Sequence, residues 1–364
     1  MSLRVPSETQ PAATVYGQPL EALPVTETRP SMSRDIQDAL EAQPAQGSFC
    51  DQCADFFSKI WNAIYAFFKS IFSFGSSEAV SHQQPLQQPL NLVQVFQETL
   101  NALRAGRYTA PSGQVVTFDI AQMQQGTRLY NGMADLALPP LVRNPTTQIH
   151  VVNEDSVTEG LRLKREFGYN VAVVNFANED TPGGGVVNGA RAQEEALCRT
   201  TGLYYSIDPR LNTHLVFPNG RYKIPEFGSI FSPSVPILRR PEGDRFQWMD
   251  GVETLPFISS AAYHPGNRPQ DPLTAEAGMK QKIRMQIATA MHHGCDAIVL
   301  GAFGCGAFRN LPEEVARWTR EVLMEDFCRG AFRHISFAVY VAPGSARDQN
   351  NLQVFQQAFP QPTI

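Results

Sequence analysis

Two adjacent carboxylates, Glu194 and Glu195, follow Pro182 and the three successive glycines Gly183, Gly184 and Gly185 after a short spacer that ends in Gln193. Paired acids suit general acid–base work, because a neighbouring charge helps one carboxyl keep a proton it can then give away. Three glycines in a row are poor filler for a helix or a strand, since they cost backbone entropy and pack nothing. They offer bare main-chain N–H groups and room for a ligand to lie against the backbone. Glycines and acids together point to a hydrolase site that holds a phosphate or a sugar.

A second glycine-rich stretch runs from Gly301 through Phe303, Gly304, Cys305, Gly306, Ala307 and Phe308 to Asn310. It follows an apolar strand-like run and precedes a helix, which makes a phosphate cradle of backbone amides and a helix N-terminus. One such loop often serves only a tight turn. Two in one domain, one of them beside paired carboxylates, converge on a site. Phe303 and Phe308 are read either as core residues or as ring contacts to ligand. Cys305 is read as a small filler, with no histidine near it in sequence to activate a thiolate. His292 and His293 are read as dipole partners at a helix C-terminus rather than as catalysts.

The elements that must position these residues begin at about residue 92. Strands are expected at Ile149–Asn153, Asn170–Asn175, Leu255–Ala261, Ala297–Gly301 and Ile335–Val341. Several are continuous apolar runs, as in strands covered on both faces. Helices are expected over about 156–166, 274–292, 311–326 and 349–358, with another opening at Glu194. For the helix over 311–326, Asn310 is the expected cap, with Pro312 in the first turn and Glu313 three residues after the cap. Such alternation predicts an α/β domain with a mixed or mostly parallel sheet, whose ligands gather beyond the strands' carboxyl ends. The stretch 203–250 is expected to wrap the site.

The chain has 364 residues and a net charge of −5, so a basic face for long duplex nucleic acid is not expected. Its hydrophobic content of 43% with 18% charged residues fits a chain that buries a core. The six cysteines include one CxxC pair, Cys50 and Cys53, with no second pair or nearby histidine to complete a zinc site. Scattered cysteines favour a reducing, cytoplasmic compartment. No stretch resembles a signal peptide, and none is a long enough apolar run to span a membrane.

Residues 1–48 are rich in Pro, Gln, Ser and Thr and are expected to form a disordered tail. Over 49–75, Phe56, Phe57, Ile60, Trp61, Ile64, Phe67, Phe68, Ile71 and Phe72 recur at helical spacing and predict an aromatic amphipathic helix. That face would pack on the domain, lie on a membrane surface, or meet a partner helix, and Cys50 and Cys53 beside it are candidates for acylation. Residues 76–91 are expected to be a linker.

The run from Pro182 to Gly185 followed by Gln193, Glu194 and Glu195 resembles the signature of poly(ADP-ribose) glycohydrolases. Asn175, Asn178, Arg191 and Arg199 around it, and Glu98, Gly106 and Thr127 before it, resemble the bacterial-type branch, which is built on a macrodomain. The resemblance spans about 92–360. It implies a macrodomain-like three-layer α/β fold, with a mixed central sheet flanked by helices and an N-terminal helical extension over a domain of 92–364. It also implies hydrolysis of ribose–ribose bonds in poly(ADP-ribose), with no metal and no cofactor. Glu195 would be the general acid and then the base, with a pKa raised by burial and by Glu194. Glu194 would hydrogen-bond ribose hydroxyls, Gly183–Gly185 would let backbone approach that ribose, and Gln193 would belong to the same site. Gly301 to Phe308 would wrap the diphosphate, with Asn178 and Asn188 as further sugar contacts.

Three other readings stand beside this one. The domain could bind ADP-ribose without cleaving it, or remove single ADP-ribose units from an ADP-ribosylated protein. It could also be an interaction protein located by the aromatic helix, including one delivered into another cell's cytoplasm.

Overall fold

The computed structural model describes residues 89–140 and 143–360. The tail expected over 1–48, the helix over 49–75 and most of the linker lie outside the described residues. The described chain opens with α1 (Leu92–Ala105), where the Asn91 side chain accepts from the Gln94 amide and Gly106 closes the helix. A small hairpin of β1 (Arg107–Thr109) and β2 (Val115–Thr117) follows, then α2 (Ala121–Gly126) and β3 (Arg128–Tyr130). The remaining elements are β4 (Gln148–Val152), α3 (Ser156–Phe167), β5 (Val171–Phe176), α4 (Gln193–Thr200), α5 (Leu203–Ile207), β6 (Ser229–Arg239), β7 (Trp248–Ser260), α6 (Pro272–His292), β8 (Ala297–Leu300), α7 (Pro312–Leu323), β9 (His334–Ala338) and α8 (Ala346–Ala358).

Seven strands form one mixed sheet in the order β3-β6-β7-β5-β8-β9-β4. From β7 to β4 all neighbours are parallel, while β6 runs antiparallel to both β7 and β3. The pleat decides the layers. In β5, Ala172 and Val174 join one core with Met279, Ile283 and Ile287 of α6, Val315 and Trp318 of α7, and Phe355 of α8. Val171 and Val173 join a second core with Val157 and Leu161 of α3, Leu197 of α4 and Ile207 of α5. Helices thus cover both faces, which is why β5 reads as an unbroken apolar run. Each fully buried Leu, Ile or Phe contributes about 1.5–3 kcal/mol of transfer free energy. A third cluster packs Phe96, Leu100 and Leu103 of α1 on Val186, Cys198 and Tyr204, fastening the helical extension beside the glycine loop.

All five expected strands are present, and β7 extends well before the expected start. β6 was not foreseen, because Pro233 and Pro236 interrupt its pattern. The strand accommodates them through a register shift between Ser232 and Val235 and a left-handed Ser234 at φ 49. The stretch 203–250 holds α5, β6 and the start of β7, and between them residues 208–228 run as a long connection against the glycine loop, where the Tyr222 hydroxyl bonds to Asn178 and the Ile224 amide to Glu179.

Asn310 does not cap α7. Leu311 occupies the N-cap position without a side-chain bond, and α7 stops at Leu323, where the Met324 amide reaches back to Arg320, Glu321 and Val322. His293 is not a charged dipole partner either. Its ring stacks on Phe231 at 3.4 Å and shares a hydrogen bond with the Tyr130 hydroxyl at 3.0 Å. Burial, helped by His292 and Arg128, holds its pKa down to about 4, so it is neutral.

Candidate active site

β5 and β8 are adjacent parallel strands, with Val173 beside Val299, so the two glycine loops leave the same edge of the sheet side by side. Phe176, at the end of β5, meets Phe303 at 5.8 Å between ring centroids. This is the carboxyl end of an open α/β sheet, where ligands collect.

After Phe176 the chain turns on Asn178, whose Oδ1 accepts from the amides of Asp180 and Thr181. The Tyr222 hydroxyl donates to the Asn178 carbonyl at 3.1 Å and fixes the turn from a distant segment. Gly183 and Gly184 both lie in the left-handed region, at φ 71 and 56. A methyl at Gly184 would stand 2.5 Å from Glu195 Oε1 and 3.1 Å from Glu194 Oε2, so glycine lets the loop close onto both acids. At Gly183 the obstacle would be the Tyr204 ring, 2.6 Å away.

The sequence suggested that the glycine amides would be bare for a ligand, but all three donate within the protein. Gly183 N donates to Glu194 Oε1 at 3.3 Å, Gly184 N to the Thr181 carbonyl at 3.0 Å, and Gly185 N to Glu195 Oε1 at 2.8 Å. Two of the three are spent on orienting the carboxylates.

Glu194 is 3% exposed and Glu195 7%. Glu194 points inward. It accepts from Asn178 N at 2.7 Å on one oxygen and from Asn175 Nδ2 and Gly183 N, each at 3.3 Å, on the other, so both oxygens are held by the protein. Burial pushes its pKa up to about 8, and the Glu195 charge adds to this while the bonds from Asn178, Asn175 and Gly183 pull the other way. Glu195 differs in geometry: Oε1 is held by Gly185, and Oε2 makes no hydrogen bond among the described residues.

Gln193 spends both ends of its side chain on the protein. Its Oε1 accepts from Phe176 N at 2.8 Å, and Nε2 donates to Val174 O at 2.7 Å and Ser156 Oγ at 3.2 Å. It ties the first residue of α4 to the end of β5, which sets where Glu194 and Glu195 begin. Asn188 is exposed on the short turn after Gly185, and Asn178 Nδ2 has no partner among the described residues.

In the second loop, Gly301 packs against the Ala338 carbonyl, and Gly304 against Asn310 and Ala262. Phe303 is a core residue, and the Cys305 thiol is buried against the Phe303 carbonyl with its pKa pushed up to about 12 by burial. None of these side chains is available to a ligand. The main chain is. Among the described residues the amides of Gly304, Gly306, Ala307 and Phe308 have no acceptor, Gly306 borders open space, and Ala307 is exposed. Asn310 closes this cradle by donating Nδ2 to the carbonyls of Tyr263 at 2.7 Å and Gly304 at 3.1 Å. Phe308 is half-buried against His264 at 5.4 Å. Four free amides ahead of a helix N-terminus make an anion site.

Sequence reasoning did not assign site roles to Asn175, Tyr204 and Tyr222. Asn175 ends a strand beside the loop, a local signal that could have been used. The two tyrosines arrive from segments with no motif of their own. Among the described residues no group of three or more His, Cys, Asp or Glu is placed to hold a metal.

The family model for the microbial-type PARG catalytic domain matches residues 96–240. The crystal structure of poly(ADP-ribose) glycohydrolase from Thermomonospora curvata is 33% identical, covers 74% of this chain and 99% of its own, and superposes with a TM-score of 0.64. The same protein bound to the inhibitor ADP-HPD gives 33% identity over the same shares and a TM-score of 0.61. Poly(ADP-ribose) glycohydrolase from Deinococcus radiodurans in complex with ADP-ribose is 32% identical, covers 66% of this chain and 96% of its own, and has a TM-score of 0.54. No curated protein matches the sequence. With the paired carboxylates and both glycine loops on one sheet edge and these relatives alike over most of their length, the chain belongs to the microbial-type poly(ADP-ribose) glycohydrolase family.

Proposed function

We propose that this glycosidic hydrolase cleaves ribose–ribose O-glycosidic bonds in poly(ADP-ribose), releasing ADP-ribose, with Glu195 as general acid and then base. The observation that supports the assignment is the asymmetry of the pair. Glu194 has both oxygens bound to the protein, whereas Glu195 has one oxygen anchored by Gly185 and the other free. The free Oε2, protonated, gives its proton to the ribose oxygen that leaves the anomeric carbon. That carbon passes through oxocarbenium character, and the resulting carboxylate then takes a proton from the attacking water. Glu194 keeps its proton near neutral pH, so the pair need not carry two adjacent charges. The free amides from Gly304 to Phe308 would hold the diphosphate, and Phe308 and Asn178 Nδ2 would contact the neighbouring ribose.

The test is incubation of purified protein with labelled polymer, for the wild type and Glu195→Gln. Release of ADP-ribose by the wild type alone supports the assignment. Binding of ADP-ribose with no release by either protein would favour a binding module, and release only from singly modified protein would favour a mono-ADP-ribosyl hydrolase.

No helix among the described residues is long and apolar enough to cross a membrane. We further propose that residues 50–74 anchor the chain to a membrane surface or a partner helix. Deleting residues 1–90 should then abolish vesicle or partner co-sedimentation while polymer turnover continues.

A further inference from the structure

The geometry points to Arg199 as the positioning residue of this site: its buried guanidinium fastens the end of the glycine loop and the start of α1 to the helix carrying Glu195. The inference rests on the acid–base role proposed for Glu195.

Arg199 is 1% exposed and lies four residues after Glu195 on α4, hence on the same helix face. Its Nη2 donates to the Ala190 carbonyl at 2.5 Å and its Nε to the Leu92 carbonyl at 3.3 Å. Ala190 belongs to the segment that leads from the glycines into α4, and Leu92 is the first residue of α1. One side chain therefore holds three pieces of chain in register. A second bond strengthens the joint: Thr99 Oγ1 on α1 donates to the Arg199 carbonyl at 2.8 Å and accepts from the buried Arg239 Nε at 3.0 Å.

Both guanidinium partners are carbonyls on separate segments, so the fork with its spaced donors is what lets one side chain reach both at once. Leaving either carbonyl without its donor inside the protein would loosen that segment from α4.

The test compares Arg199→Gln and Arg199→Lys with the wild type. Two readouts are taken: kcat and KM on labelled polymer, and hydrogen-exchange protection of the amides over residues 183–195. Positioning predicts that Arg199→Gln lowers kcat about tenfold or more at a KM within a few-fold of wild type, with faster exchange in that segment, and that Arg199→Lys, which keeps one donor, recovers part of both. An unchanged kcat with unchanged protection in folded Arg199→Gln would overturn the role. Should Arg199→Gln fail to fold, Arg199→Lys carries the same comparison. If the wild type shows no turnover at all, the glycohydrolase reading goes, while the exchange readout still decides the role of Arg199.

Discussion

Glu195 Oε1 lies 2.8 Å from the Gly185 amide, and it is also the atom that a methyl on Gly184 would approach to 2.5 Å. The loop is shaped around this carboxyl, one oxygen held and one left to act. Glu195→Gln keeps an oxygen for the Gly185 amide but cannot donate an acid proton. Turnover of labelled polymer should fall by about 10²–10⁴-fold, with ADP-ribose affinity by calorimetry within a few-fold of wild type. Equal turnover in the variant would remove Glu195 from the chemistry.

Gly184→Ala should uncouple stability from activity. The left-handed backbone costs an alanine about 1–2 kcal/mol, which lowers the melting temperature modestly. The new methyl meets both carboxylates, so kcat should fall far more than the lost stability accounts for. A variant that melts lower but turns over normally would show that the close approach is incidental.

Much of this site could be read from the sequence because its signal is local. The glycines, the adjacent acids and the loop from Gly301 to Asn310 each sit within a short run, and continuous apolar strands such as Val171–Phe176 announce a covered sheet. What escaped depended on long-range contact. Tyr222 reaches Asn178 across 44 residues and Thr99 reaches Arg199 across 100, and no local pattern announces either bond. β6 was hidden by prolines that a register shift absorbs. The amides of the first loop escaped for the same reason: only folded geometry shows that Gly183 and Gly185 serve the acids, while Gly304, Gly306, Ala307 and Phe308 in the second loop keep theirs free, as expected of a cradle.

Gln193 offers a test of that division between brace and contact. Gln193→Leu leaves the Phe176 amide and the Val174 carbonyl without this buried partner, at a cost of about 1–3 kcal/mol each. The variant should unfold at lower denaturant and lose kcat, because α4 no longer starts at a fixed point. Its affinity for ADP-ribose should change little. Lost affinity at unchanged stability would instead make Gln193 a ligand contact.

Glu194 leaves a signature in the pH dependence of folding. Its carboxyl titrates at about 8 in the folded protein and near 4.5 when unfolded. Between those values the folded state binds a proton that the unfolded chain has released, so stability falls as pH rises, by about 1.4 kcal/mol per unit. His293 and His334, both held down to about 4, act in the opposite sense: they favour the folded state above pH 6.5 and cost stability as pH falls toward 4. Over pH 6.5 to 7.5, below the value of about 8 to which burial lowers Lys282, the carboxyl dominates and accounts for a loss of about 1 kcal/mol. Glu194→Gln should be less stable on average, because an amide nitrogen faces one of the donors that Glu194 now accepts from. Its unfolding free energy by urea titration should nevertheless be nearly flat across that window. A slope as steep as wild type would place the proton uptake on another group.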